Sequence, residues 1–170
     1  MHTHTRSWIA ASLAALLLTL LLALGPAPSL ADGGGGGEIA SGQPRDPHYE
    51  QARRLIDQSR FEQALPLLQQ VVAKNPRDAN AYNLLGFSSR KLGRLDEALE
   101  FYTRALKIDP GHRGAHEYLG ELYLQMGRLD KAKSELAFLD GDCWLPCEEY
   151  SDLKAAVAAY EARGGTAAKP

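Results

Sequence analysis

The chain has 170 residues, enough for one domain with a real core but not for two. With 19 basic and 21 acidic residues the formal charge is −2, which gives no electrostatic grip on nucleic acid. Ala, Leu, Glu, Arg and Lys dominate and β-branched residues are sparse, a composition that favours helix.

The N-terminus is a different material. Arg6 and two histidines, His2 and His4, precede an uncharged apolar run from Trp8 to Leu24, which Gly25, Pro26 and Pro28 break. Ser29-Leu30-Ala31 follows with small residues at its first and last positions. This is the pattern of a secretory signal peptide over 1–31, cleaved after Ala31, and it predicts a periplasmic or secreted product. The alternative is an uncleaved anchor in the inner membrane, although the run is short against the ~20 residues of a comfortable transmembrane helix. Loss of the segment 1–31 removes one Arg and no acid, leaving −3. The only cysteines are Cys143 and Cys147, so no lipid can be attached behind the apolar run. Residues 32–44 are a flexible Gly-rich lead-in. No strand precedes those glycines and no GK[ST] follows, so they do not form a phosphate cradle.

Beyond the lead-in, apolar residues recur at helical spacing. Helices are predicted over 47–58, 61–74, 79–92, 95–108, 113–126, 129–139 and 148–162. Pro66 falls in the first turns of the second of these, where it costs less than deeper inside. In the third and fourth, Tyr82, Leu85, Gly86 and Leu92 face Leu95, Ala98, Leu99, Tyr102, Ala105 and Leu106. Between helices one phrase repeats at a spacing of about 34 residues: QSRFEQAL from Gln58, KLGRLDEAL from Lys91 and QMGRLDKAK from Gln125. Gly93 and Gly127 can turn left-handed where a helix must end. Asp96 and Asp130, three residues later, suit the capping or charging of the next helix start. The small residues Gly86 and Ala98 let two antiparallel helices approach closely. In the last helix Leu153, Ala156, Val157 and Tyr160 form one stripe, fit to cover the open end of a stack.

The spacing, a period of about 34 residues, carries Tyr82, Leu85, Gly86, Ala98, Tyr102, Ala105 and Pro110 at fixed places and resembles the tetratricopeptide repeat. A second copy supplies Leu119, Gly120, Tyr123, Ala132 and Leu136, and a degenerate one supplies Leu55, Ala64, Leu68 and Pro76. Departures are Ser89, His116, Leu139, Gln51 and Ala52, with no proline stop in the last copy. The resemblance covers about two-thirds of the chain. It implies an all-α, right-handed solenoid of units 45–78, 79–112 and 113–146, a capping helix over 147–163 and a loose tail over 164–170.

Cys143 and Cys147 stand four apart in LDGDCWLPCEEY. In an oxidising compartment they predict a structural disulfide that clamps the turn before the cap. The rival is a redox or metal-handling pair, although CxxxC is not CxxC and two thiolates do not close a tetrahedral site. His112 and His116 share a helix face, but a metal would need a third ligand, so packing or capping is the expected role. Asp140, Asp142, Glu148 and Glu149 lack calcium-loop spacing and read as a solvated acidic turn. No nucleophile–base pair is visible. The chain is not expected to be an enzyme, and no cofactor is expected.

The resemblance further implies that the first helix of each unit lines a concave face that binds an extended peptide or a helix. The lining would be Tyr49 and Arg53, then Asn80, Asn83, Phe87 and Arg90, then Glu117, Tyr118 and Glu121, with Phe87 and Tyr118 as apolar anchors. Family members that clamp a C-terminal carboxylate use Lys, Asn and Arg. The matching positions here hold Tyr49, Arg53, Leu84, Gly114 and Tyr118, so no such clamp is expected. The expectation is a non-catalytic adaptor in a bacterial cell envelope with a protein or peptide partner.

Overall fold

A computed structural model describes residues 45–145 and 147–165. The signal segment and the Gly-rich lead-in lie outside the described residues, as do Pro146 and the tail from 166 onward. Among the described residues seven helices follow one another: α1 (Pro47–Asp57), α2 (Phe61–Lys74), α3 (Ala79–Lys91), α4 (Leu95–Ile108), α5 (Arg113–Gln125), α6 (Leu129–Asp142) and α7 (Glu148–Ala162). Within the same residues there is no strand, and no helix is long and apolar enough to cross a membrane.

The repeated phrase is the turn inside each helix pair. Gly93 and Gly127 have φ of 75° and 71°, and in the degenerate copy Ser59 takes the same left-handed conformation at 58°. In each turn the following backbone N–H reaches back across the helix end: Arg60 to Leu55 O at 2.8 Å, Arg94 to Ser89 O at 2.9 Å, Arg128 to Tyr123 O at 2.7 Å. Ser59 carries a Cβ into a conformation that costs about 1 kcal/mol more than for glycine. Asp96 and Asp130 are not caps. The helices start at Leu95 and Leu129, with Arg94 and Arg128 as uncapped N-cap residues, so the aspartates sit in the first turn and favour the positive end of the helix dipole.

The pairs α1/α2, α3/α4 and α5/α6 stack in chain order into a right-handed α-solenoid. Neither member of a pair can bury its apolar face alone, and the core runs through the stack as three consecutive clusters. One is built on Ala52, Leu68 and Leu85, the next on Ala98, Tyr102 and Leu122, the last on Leu139, Leu153 and Val157. The Tyr102 ring is fully buried against Gly86, where a Cβ would sit 2.6 Å from Cε1. At Gly120 the intruding side chain is Leu153 of α7, with Cδ2 2.5 Å from the place of a Cβ.

The capping helix keeps the period. Tyr150, Leu153 and Val157 lie one full repeat after His116, Leu119 and Tyr123, so α7 takes the place of a first helix in the repeat. Its Leu153, Val157 and Tyr160 are buried, whereas Lys154, the counterpart of Gly120, is exposed. α6 runs to Asp142, past the predicted end at 139. No proline stops it, and Asp142 accepts from Arg113 Nε of α5 at 2.6 Å. The Cys143–Cys147 disulfide closes the connection to α7.

Alanine normally stabilises a helix interior by ~1 kcal/mol over glycine. Gly86→Ala is expected to do the opposite here, costing about 1 to 3 kcal/mol in urea unfolding, because the Tyr102 ring has nowhere to move. Pairing it with Tyr102→Leu should recover part of that loss.

Candidate functional site

The backbones of the first helices, α1, α3 and α5, approach one another with Cα atoms within 8 Å, whereas those of the second helices α2, α4 and α6 stay farther apart. The inner row is therefore the tighter one and carries the concave face. Two ladders run along it with the repeat period. Tyr49, Asn83 and Glu117 form the deeper ladder, with 8%, 7% and 8% exposure. Arg53, Phe87 and Glu121 form the shallower one, from an exposed arginine to a partly buried glutamate.

Four of the residues expected on this face converge at the α3–α5 seam. The Phe87 ring centroid lies 5.0 Å from that of Tyr118. The Arg90 guanidinium sits 5.6 Å from the Phe87 centroid and 5.7 Å from that of Tyr118. Its Nη2 pairs with Glu121 Oε2 at 2.5 Å, while its Nε finds no acceptor among the described residues. The Tyr102 hydroxyl faces this guanidinium from below without hydrogen-bond geometry. Burial, reinforced by Glu117, pushes the Tyr118 hydroxyl up to about 12. Phe61 of α2, edge-on to Phe87 at 6.0 Å, and Lys91, whose Nζ is 5.2 Å from the Phe87 centroid, extend the same patch. Sequence reasoning missed both. Phe61 belongs to a second helix, and Lys91 read as part of the turn.

The other expected residues have different surroundings. Asn80 Oδ1 accepts from His112 Nε2 at 3.0 Å, while His112 Nδ1 accepts from the Ala115 N–H at 3.1 Å. His112 is thus the N-cap of α5 and is held neutral, its pKa lowered by burial. Tyr49 lies under the Arg45 guanidinium at 5.4 Å, and Arg53 stays exposed. Asn83 stands beside Gly114, its Nδ2 3.4 Å from where a Cβ would be, and its Oδ1 is buried without a partner among the described residues. The Glu117 carboxylate has no hydrogen-bond or ion-pair partner among the described residues. Burial, then Glu121, Asp152 and Glu149, push it up to about 8. Asp152 and Glu149 come from α7, and continuing the repeat period into that helix would have placed them there.

His116 is the mirror of His112. Its Nδ1 meets Glu135 Oε2 at 2.7 Å and its Nε2 meets the Pro110 carbonyl at 2.9 Å, with the ring stacked on Phe138 at 3.7 Å. Both partners only accept, so both nitrogens donate only in the imidazolium. Burial opposes that charge, and the Glu135 carboxylate and Pro110 carbonyl outweigh it, raising the pKa. Among the described residues no group of three or more His, Cys, Asp or Glu could hold a metal ion.

Two tetratricopeptide repeat family profiles match the chain, one over residues 49–113 and the other over 89–140. The chain belongs to the tetratricopeptide repeat family. The fold is similar to that of SycD, the type III secretion translocator chaperone of Yersinia enterocolitica. Identity is 20% over 78% of this chain and 98% of that one, with a TM-score of 0.64. It is also similar to PcrH in complex with the chaperone-binding region of PopD, at 22% identity over 69% and 90% of the two chains and a TM-score of 0.61. A MamA RS-1 double mutant matches at 27% identity and a TM-score of 0.54, over 56% of this chain and 53% of that one. This repeat protein therefore spans about half the length of that MamA chain. No curated protein matches it. The family and the shared fold make the chain a protein-interaction module on a helical scaffold.

The raised pKa of His116 gives folding a testable pH dependence. Its contribution to stability is complete below the unfolded value of about 6.5 and is lost as pH rises through the higher folded value. Against His116→Gln, the wild-type advantage in urea midpoint should therefore shrink from mildly acidic to alkaline pH. Glu135→Gln should flatten that dependence.

Proposed function

We propose that this repeat protein is a non-catalytic adaptor of the bacterial cell envelope that holds an extended or helical segment of a partner protein on its concave face. The observation that carries this reading is the α3–α5 seam, where Phe87 and Tyr118 flank Arg90 and are, with Glu121, only partly buried. Aromatic and arginine side chains set in a partly buried patch are the usual anchors of protein contacts. The chaperones PcrH and SycD, which share the fold, have been seen with a region of PopD and a peptide of YopD respectively. A segment held by a repeat scaffold is the corresponding role here.

The envelope setting rests on the signal-like residues 1–31 and on the disulfide. A bonded Cys143–Cys147 pair suits an oxidising compartment. The pair bridges the end of α6 and the start of α7, which reads as a staple for the capping helix rather than a redox centre. Cleavage after Ala31 with release into the periplasm is the form we favour, and mass spectrometry of the mature N-terminus tests it against the anchored form.

Photo-crosslinking from position 87 in intact cells should capture a partner protein, and a probe at exposed Glu100 of α4 should not. Phe87→Ala with Tyr118→Ala should weaken that partner at least tenfold while keeping the helical circular dichroism. Identical crosslinks from both positions, or full binding by the double variant, would overturn the reading. Reduction of the disulfide should lower stability by about 2 kcal/mol without abolishing partner binding in the cold.

A further inference from the structure

Among the described residues the large apolar side chains left exposed are Phe138, Trp144 and Leu145, at 38%, 89% and 59%. All three lie in the last turns of α6 or in the loop after it. Apolar residues scattered singly over a surface need no explanation, but a tryptophan and a leucine side by side in water do. The Cys143–Cys147 bridge closes the loop around them, and Arg113 holds Asp142 just before it, so the loop has little freedom left to lose on docking. Its surroundings carry one sign. From Ser134 to Leu153 the chain has Glu135, Asp140, Asp142, Glu148, Glu149 and Asp152, and neither Lys nor Arg. Asp140, Glu148 and Asp152 are exposed and in no ion pair among the described residues. That charge repels an anionic lipid surface and favours an apolar seat with a basic rim.

The concave face is such a seat. The Phe87 ring adjoins Phe61 and Tyr118, with Lys91 Nζ 5.2 Å from its centroid, and exposed Arg53 stands one repeat before it in the same ladder. Neither Arg53 nor Lys91 has an ion-pair partner among the described residues. The acids of this face do not cancel them: Glu121 is paired with Arg90, and Glu117, pushed up to about 8 by burial, is largely protonated at neutral pH. Within one chain the helices that hold the loop keep away from this patch, since no Cα atom of α6 or α7 comes within 8 Å of one in α3. We propose that Trp144 and Leu145 of one copy dock on the Phe87–Tyr118 patch of a second copy, with the acidic rim of the loop against Arg53 and Lys91. Loop and seat are different surfaces, so the contact is heterologous and copies join head to tail. The loop is small, which puts the contact among the weak ones. The inference rests on the concave face being a binding face and adds a resident competitor: a partner segment has to displace the loop of a neighbouring copy.

Trp144 is the sole tryptophan after residue 31, so in the mature chain its emission reports its own burial. Raising the concentration of the purified mature chain toward about 1 mM at neutral pH should shift that emission to the blue and lift the average mass in sedimentation above the monomer. Added salt should weaken both effects. Trp144→Ala with Leu145→Ala should stay monomeric, and Phe87→Ala should stay monomeric with solvent-like emission, each keeping the helical circular dichroism. Mixing the two decides the geometry. The loop variant still has a seat and Phe87→Ala still has a loop, so together they should form a dimer that grows no further, with the emission of the Phe87→Ala copy shifted to the blue. A wild-type chain that stays monomeric, association that survives either variant, or a mixture that stays monomeric overturns the proposal. So does a blue shift produced by phosphatidylglycerol vesicles and not by concentration, which would give the loop to lipid. The groove reading is scored separately, by capture from position 87 of a protein other than this chain.

Discussion

Close approach of helices at a residue without a side chain is the constraint on which this molecule depends. Each pair is amphipathic and unstable by itself, and its apolar stripe is hidden only if the neighbouring helix comes near enough to interlock. Gly86 admits the Tyr102 ring and Gly120 admits Leu153. Everything at the concave face inherits its position from those contacts. α3 and α5 lie close enough for Phe87 to reach Tyr118 and for Arg90 to reach Glu121 because their partner helices are drawn in behind them.

The same scaffold treats two histidines on one helix in opposite ways. His112 ends a hydrogen-bond chain that requires a lone pair at Nδ1, so it stays neutral. His116, four residues on, is offered a carboxylate and a carbonyl, which raise its pKa. Spacing alone presents the pair as candidate metal ligands. In the structure both ring nitrogens of each are engaged by other protein groups.

Much of the fold is legible in the sequence because its signals are periodic. The turn phrase, the small residues and the apolar stripes each recur once per repeat, and a repeated error is harder to make than a single one. The first copy is harder to read because Ser59 stands where glycine is expected, and backbone context holds it left-handed all the same. The end of α6 escapes sequence reasoning because its stop comes from an ion pair to Asp142 and a disulfide rather than from proline or glycine. For the concave face, spacing places residues on the right side but does not say which are covered. Tyr49, Asn83, Arg90 and Glu117 are buried by their neighbours, so a face written as polar is in part an interior. Whether a polar residue lines a surface or a seam depends on the distance between helices, which no single helix encodes.

The backbones of the outer helices α2, α4 and α6 stand farther from one another than those of the inner row. Mechanically the inner row is then the spine of the stack, and the outer row spreads from it like the ribs of a fan. A bend about that spine would move the outer edges of the stack most and leave each helix pair intact.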